Sequence, residues 1–221
     1  MTAVLVAAGS STRMGFDKLS FDLGGETVLE RSVRAFDECP EVDELVIVTG
    51  ASGENARRAA ARCKKPVRLV KGGSTRAESA RSGVVAAHGR LVAVHDAARP
   101  FVSQSVIADT IAAAARCGAA APAVPVKDTI KTVAEDGAVT GTPDRSTLRA
   151  VQTPQVFEAD LLKAALQSAL ENEVPVTDDC SAVERLGKVV YLIDGDEENL
   201  KITTPVDLVI AEAILAEREG R

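Results

Sequence analysis

The chain has 221 residues, 46% of them hydrophobic and 26% charged, with a formal net charge of −6. These values suit one soluble globular domain with room for a sizeable core. The acidic balance argues against a nucleic-acid or anionic-membrane binder, whose surface is normally basic, and no apolar run approaches the length of a membrane span.

Residues 2–7, TAVLVA, read as a buried strand, and 28–36, with apolar residues at 28, 29, 33 and 36, as a helix. A strand is expected at 44–50, a helix at 52–63, a strand at 67–70 and, after a Gly pair, a helix at 75–88. Residues 90–96 read as the next strand. The segment 103–118 opens on a Ser N-cap and closes on Gly, the punctuation of a helix. Residues 119–126 are then a strand. Continuous apolar strands alternating with helices predict an α/β fold: a doubly wound, mostly parallel, Rossmann-like sheet.

At 127–152 the rhythm breaks. Alternating β-branched residues flank the EDGAVTG turn, so this stretch is expected to be a hairpin arm leaving the main body. Helices are expected at 161–172 and 177–187, a strand at 188–194, and a closing helix at 205–219 with Pro in its first turn. There is no internal repeat, so 1–221 reads as one domain with an arm. The cysteines at 39, 63, 117 and 180 form no CxxC pair and have no His at ligand spacing. With no basic leader after Met1, this predicts reduced thiols in a cytoplasmic protein.

Ligands of such sheets sit beyond the carboxyl ends of the strands, and three of those ends carry unusual residues. Residues 5–18, LVAAGSSTRMGFDK, leave the first strand through Ala7, Ala8 and Gly9, small enough for a ligand to lie against backbone N–H groups. Ser10, Ser11 and Thr12 follow, and Arg13 and Lys18 add a planar fork and a mobile point charge, a set that suits a triphosphate. The spacing fits neither a P-loop nor the dinucleotide GxGxxG. In GGSTRAESA (72–80), Gly72 and Gly73 permit close approach. In VHDAARP (94–100), Asp96 is placed to hold Mg²⁺ or a ribose hydroxyl, with an Asp96–Arg99 ion pair as the plainer reading. His95 reads as a packed histidine and His88 as a helix cap. Lys201, in NLKITTP (199–205), precedes the last helix at the same edge.

Together these motifs resemble a known family. The 5–18 loop is similar to the signature loop of nucleotidyltransferases that activate sugars and alcohols. GGSTRAESA, VHDAARP, AVQTPQVF (150–157), TDDCSAVE (177–184) and NLKITTPVDL (199–208), in that order, resemble 2-C-methyl-D-erythritol 4-phosphate cytidylyltransferases of the non-mevalonate isoprenoid pathway, from residue 3 to about 215. The resemblance implies transfer of a cytidylyl group from CTP to the alcohol phosphate, with release of pyrophosphate and Mg²⁺ on the triphosphate. It places Arg13 and Lys18 on the triphosphate and Lys201 at the α-phosphate. It places Ala8, Gly9, Gly73 and Ser79 around cytosine and ribose, and Asp96, Arg99 and Thr153 around the alcohol phosphate or the ribose side. It also implies a homodimer in which the arm delivers Thr129 and Arg145 to the neighbouring subunit's alcohol phosphate. Two departures stand out: Ser74 where a carboxylate is common, and Lys127 where Arg is common. The alternative with the same chemistry is a ribitol 5-phosphate cytidylyltransferase. A guanylyltransferase of molybdenum-cofactor synthesis fits VHDAARP and the arm less well. The alternative from another class is a non-catalytic nucleotide-binding module, which has no need for Arg13, Lys18 and Lys201 together.

Overall fold

The computed structural model of the protein describes residues 1–9, 15–50 and 53–220. In chain order the elements are β1 (Thr2–Ala7), α1 (Val28–Asp37), β2 (Glu44–Thr49), α2 (Glu54–Ala60), β3 (Val67–Lys71), α3 (Arg76–Val85), β4 (Leu91–Asp96), α4 (Gln104–Cys117) and β5 (Ala119–Pro125). Then follow β6 (Thr132–Val133), β7 (Val139–Gly141), β8 (Arg149–Val151), β9 (Gln155–Glu158), α5 (Ala159–Glu171), α6 (Asp179–Arg185), β10 (Tyr191–Asp194) and α7 (Pro205–Arg218).

The main sheet has the order β10-β5-β9-β4-β1-β2-β3, with β8 beside β5. β1 lies parallel to both β2 and β4, with Val4 opposite Val46 on one side and Val94 on the other. The chain thus runs outward from β1 to β3 and returns to the other flank of β1 with β4. That reversal opens a crevice beyond the carboxyl ends of β1 and β4, the place where such sheets bind ligands.

Successive strand residues point to opposite faces, and the core divides accordingly. Ala3, Leu5, Leu45, Ile47 and Ala93 pack with Phe36 of α1, Ile107 of α4 and Leu208 of α7. Val4, Val46, Val48, Val92 and Val94 pack with Val84 of α3, Leu162 of α5 and Val183 of α6. Helix ends follow their sequence signals. Thr27 and Glu30 form a capping box on α1, Ser103 caps α4 and Gly118 ends it with φ +84°. Pro205 opens α7, where Asp207 accepts from the backbone of Thr203 and Thr204 at 2.7 Å each.

Five expectations need correction. The strand β9 was not anticipated: four residues opening on a Gln give no periodic signal, yet Gln155, Val156 and Phe157 are buried between β4 and β5. It runs antiparallel to both neighbours, so the sheet is mixed. The second helix is shorter than 52–63. The third stops at Val85, not at 88, so His88 is no cap: it lies beyond the helix, its backbone N–H 2.8 Å from Glu44 Oε1 and its ring beside Glu44 and Arg68. The last strand begins at Tyr191 rather than at 188. The arm is a hairpin, but only β6 and β7 pair. Its returning leg, β8, rejoins the sheet against β5.

Candidate active site

Asp96 ends β4 at the carboxyl edge of the sheet, where charged side chains from distant segments gather on it. Its Oδ2 is 2.6 Å from Lys201 Nζ, and its Oδ1 is 3.2 Å from Arg76. Burial works against its charge, but Arg76 and Lys201 outweigh that and hold the carboxyl far below the usual carboxylate range. Arg76 opens α3 directly after the N-cap Thr75, and its Nη2 also reaches Asp179 Oδ2 at 2.8 Å. Asp179 is fully buried at the start of α6. Burial pushes its pKa up, opposed by Arg76, and Asp179 with Asp96 raises the guanidinium's pKa against its own desolvation. The plainer reading of VHDAARP therefore fails: Asp96 pairs with Arg76 and Lys201, while Arg99 Nη1 donates to the carbonyl of Asn199 at 2.6 Å.

The segment before α7 is stitched to the loop after β4. Ile202 N–H donates to Ala98 O at 2.9 Å, and the fully buried Asn199 donates to Thr153 O at 2.9 Å. These bonds deliver Lys201 to Asp96. Lys18, from a 3-10 turn over Lys18–Ser20, donates through Nζ to Ile202 O at 2.7 Å. Cations from both ends of the sequence thus meet at one rim. Arg13, with Ser10, Ser11 and Thr12, lies outside the described residues.

The small residues line the same rim. A Cβ on Gly72 would collide with Ala8 Cβ and come within 2.8 Å of Ser79 Oγ, so only glycine fits there. Ser79 Oγ accepts from Gly73 N–H at 3.2 Å and donates to Thr75 O at 2.9 Å, fixing the β3–α3 turn. Gly9 has open space where a side chain would be. Ala7 and Ala8 are partly exposed beside it. At Ser74, the backbone N–H and hydroxyl bind Glu78 Oε2 at 2.6 and 2.8 Å, so a carboxylate stands at this corner all the same.

His95 is packed, as expected: fully buried, against Phe36, with its pKa lowered by burial to about 4. Thr153 is buried and its hydroxyl accepts from Asp96 N–H at 3.1 Å. Thr129 and Arg145 lie exposed on the arm, away from this cluster in sequence and in contact. Arg145 Nη1 donates to Lys127 O at 2.7 Å. Among the described residues no three His, Cys, Asp or Glu side chains gather into a metal cage, and both oxygens of Asp96 are engaged by cations.

The model of the IspD family, 2-C-methyl-D-erythritol 4-phosphate cytidylyltransferase, matches residues 1–217. The chain belongs to this cytidylyltransferase family. A relative of that name from Symbiobacterium thermophilum is 47% identical over 98% of this chain and 93% of its own. The crystal structure of 4-diphosphocytidyl-2C-methyl-D-erythritol synthase from Anaerococcus prevotii superposes with a TM-score of 0.88 at 33% identity, covering 97% of this chain and 95% of that one. The cytidylyltransferase of Thermus thermophilus gives 0.80 at 36% identity over 96% and 97%.

Within this cytidylyltransferase, sequence reasoning missed Arg76 and Asp179. A signal existed. Arginine in the first turn of a helix faces the positive end of the dipole, which is tolerable only where carboxylates wait for it. The acidic pair in TDDCSAVE supplies one of them.

Proposed function

We propose that this chain transfers the cytidylyl group of CTP to 2-C-methyl-D-erythritol 4-phosphate, releasing pyrophosphate, in isoprenoid precursor synthesis. Family membership supports the reaction. The observation that carries it is the meeting of Lys18, Lys201 and Arg76 around the carboxyl edge of β1 and β4, with Asp96 at its centre.

In this reading a phosphate oxygen of the alcohol phosphate attacks the α-phosphorus of CTP in line. The bond to the bridging oxygen breaks, and pyrophosphate departs with the displaced charge. The chain's part is positioning and electrostatics. Arg13 and Lys18 grip the triphosphate. Lys201, kept in place by Asp96, faces the α-phosphate. Backbone N–H groups at Ala7, Ala8 and Gly9, with Gly73 and Ser79, hold cytosine and ribose where Gly72 leaves no width to spare. Asp96, Arg99 and Thr153 receive the alcohol phosphate or the ribose side. Arg99 Nε is buried without a hydrogen-bond partner, a penalty of about 1–3 kcal/mol that a phosphate oxygen would relieve. Mg²⁺, carried by the triphosphate, would screen its charge, with the Asp96 carboxylate at the same edge of the sheet.

The arm is assigned to a second copy of the chain, reaching across with Thr129 and Arg145. Two short paired strands are marginal alone in water, and Val133 and Val139 are largely exposed on them. Four free cysteines support a cytoplasmic setting, and among the described residues no helix is long and apolar enough to cross a membrane.

The test offers each nucleoside triphosphate with Mg²⁺ and either 2-C-methyl-D-erythritol 4-phosphate or ribitol 5-phosphate, and follows pyrophosphate. Release with CTP and the methylerythritol substrate is expected. Release with ribitol 5-phosphate alone transfers the assignment to that enzyme, and CTP binding without turnover to a binding module.

A further inference from the structure

His95 is buried beside Asp96 on β4, and no step above uses it. Its Nε2 lies 3.1 Å from the carbonyl oxygen of Arg99, and its Nδ1 lies 3.0 Å from Thr153 Oγ1. A carbonyl oxygen only accepts, so Nε2 carries the hydrogen. Burial keeps the ring neutral at physiological pH, so it has a single N–H. Nδ1 is therefore a bare lone pair, and the hydrogen in the 3.0 Å contact belongs to the threonine. Thr153 Oγ1 in turn accepts from Asp96 N–H at 3.1 Å. A hydroxyl has one proton and two lone pairs. Here the proton and one lone pair are spent, and one lone pair remains.

We propose that His95 is a positioning residue that fixes the Thr153 hydroxyl as an acceptor, so that it receives a hydrogen bond from a hydroxyl of the alcohol phosphate and gives none to a phosphate oxygen. The inference deepens the function proposed above and rests on it. It assigns part of the substrate choice to hydrogen-bond polarity: a polyol presents a donor to Thr153, whereas an analogue with a keto or ether oxygen in that place meets a lone pair with a lone pair. Through Arg99 O, the same ring steadies the turn between Asp96 and Arg99, whose backbone closes with Arg99 N–H on Asp96 O at 3.0 Å.

The sequence contains two histidines, so ¹⁵N-histidine NMR reads the tautomer directly, with a His88→Gln variant to assign the signals. The Nε2–H tautomer is expected for His95 at neutral pH. An Nδ1–H tautomer overturns the proposal. The kinetic arm compares three substitutions. His95→Phe keeps a ring against Phe36 but loses both contacts, and raises the KM for the alcohol phosphate about tenfold, the size of one hydrogen bond, with a much smaller change in kcat. His95→Asn, which keeps an acceptor toward Thr153, recovers most of that loss. His95→Gln, which keeps only the donor toward Arg99, does not. Equal effects of Asn and Gln, or a loss confined to kcat, would show a merely structural histidine. Should His95→Phe fail to fold, Thr153→Val removes the acceptor from the other side, and the same rise in KM is required of it. An Nε2–H tautomer in a protein that never turns over this substrate pair would defeat the functional reading while the polarity of Thr153 stood.

Discussion

Lys18 and Ile202 are 184 positions apart, yet Nζ of the first donates to the carbonyl of the second at 2.7 Å. This bond closes the rim on which the proposed chemistry depends. It sets a lysine from the loop after β1 next to Lys201, which Asp96 holds from the end of β4. Both cations are thus in position before any phosphate arrives, which is the condition for electrostatic catalysis without reorganisation.

Replacing Lys18 with Ala should therefore cost activity far more than stability. A group aimed at departing charge is typically worth roughly 10²–10³ in rate, while one partly buried hydrogen bond is worth about 1 kcal/mol. Pyrophosphate release and a urea unfolding curve on the same preparation separate the two. A variant that melts early yet turns over normally when folded contradicts the role.

Arg76 carries the opposite balance. Its guanidinium joins Asp96 to the fully buried Asp179. Removing one partner of such a group strands the others without water, which costs about 3–5 kcal/mol. Arg76→Ala should thus lower the unfolding free energy by that order, and adding Asp179→Asn should restore part of it, because a neutral amide tolerates burial better than an unpaired carboxylate. Additive losses in the double variant would show that the two side chains act separately.

These residues also show how much of the site was legible. Backbone close approach was readable at Gly72 and Gly73, because small residues at a strand end have few other uses. Lys18 was readable as a charge in the loop after the first strand, and Lys201 as one just before the last helix. The partners of Asp96 were not. Arg99 is three residues away and invites pairing, but its side chain turns to Asn199 O, and the real partners come from 20 residues before and 105 after, a matter of tertiary placement. The strand β9 was hidden for a related reason: its burial comes from neighbours on both sides, not from any period of its own.

The nucleotide rim can be probed by two methyl groups. In Gly72→Ala the new Cβ meets Ala8, Ser79 and Val48, and overpacking of this kind costs about 1–3 kcal/mol. In Gly9→Ala the new Cβ meets nothing within 4 Å, so the melting temperature should hold while the KM for CTP rises, because the methyl occupies space assigned to the nucleotide. A Gly9→Ala variant with unchanged CTP affinity would remove that residue from the site.

Stability should carry the signature of His95 in acid. Its pKa is held near 4 in the folded chain by burial, against 6.5 for the free side chain, with Arg99 O, Asp96 and Thr153 acting in the opposite sense and the Arg99 charge with burial. The unfolded chain thus binds a proton first. The contribution is complete above pH 6.5 and is lost as the pH falls toward 4, with a slope of up to about 1.4 kcal/mol per pH unit. Denaturant curves across that window should be steeper in pH for the parent than for His95→Asn. Identical pH profiles would mean that the ring protonates in place.

The arm makes the last prediction. Val133 and Val139 are 61% and 59% exposed on β6 and β7, and an apolar pair at the tip of a two-stranded ribbon is unstable in water without a cover. If a second copy provides it, a charge there opposes association without touching the main sheet. Val139→Asp should shift the sedimentation coefficient from dimer to monomer. It should also lower activity, because Thr129 and Arg145 would no longer reach the neighbouring alcohol phosphate. Raising the protein concentration should recover part of that activity by mass action. The decisive control mixes Arg145→Ala with Lys18→Ala. Each is impaired alone, but a mixed dimer contains one site with the parent's Lys18 from one subunit and Arg145 from the other. Activity of the mixture above the sum of its parts is the expected result, and strict additivity would return the arm to its own subunit.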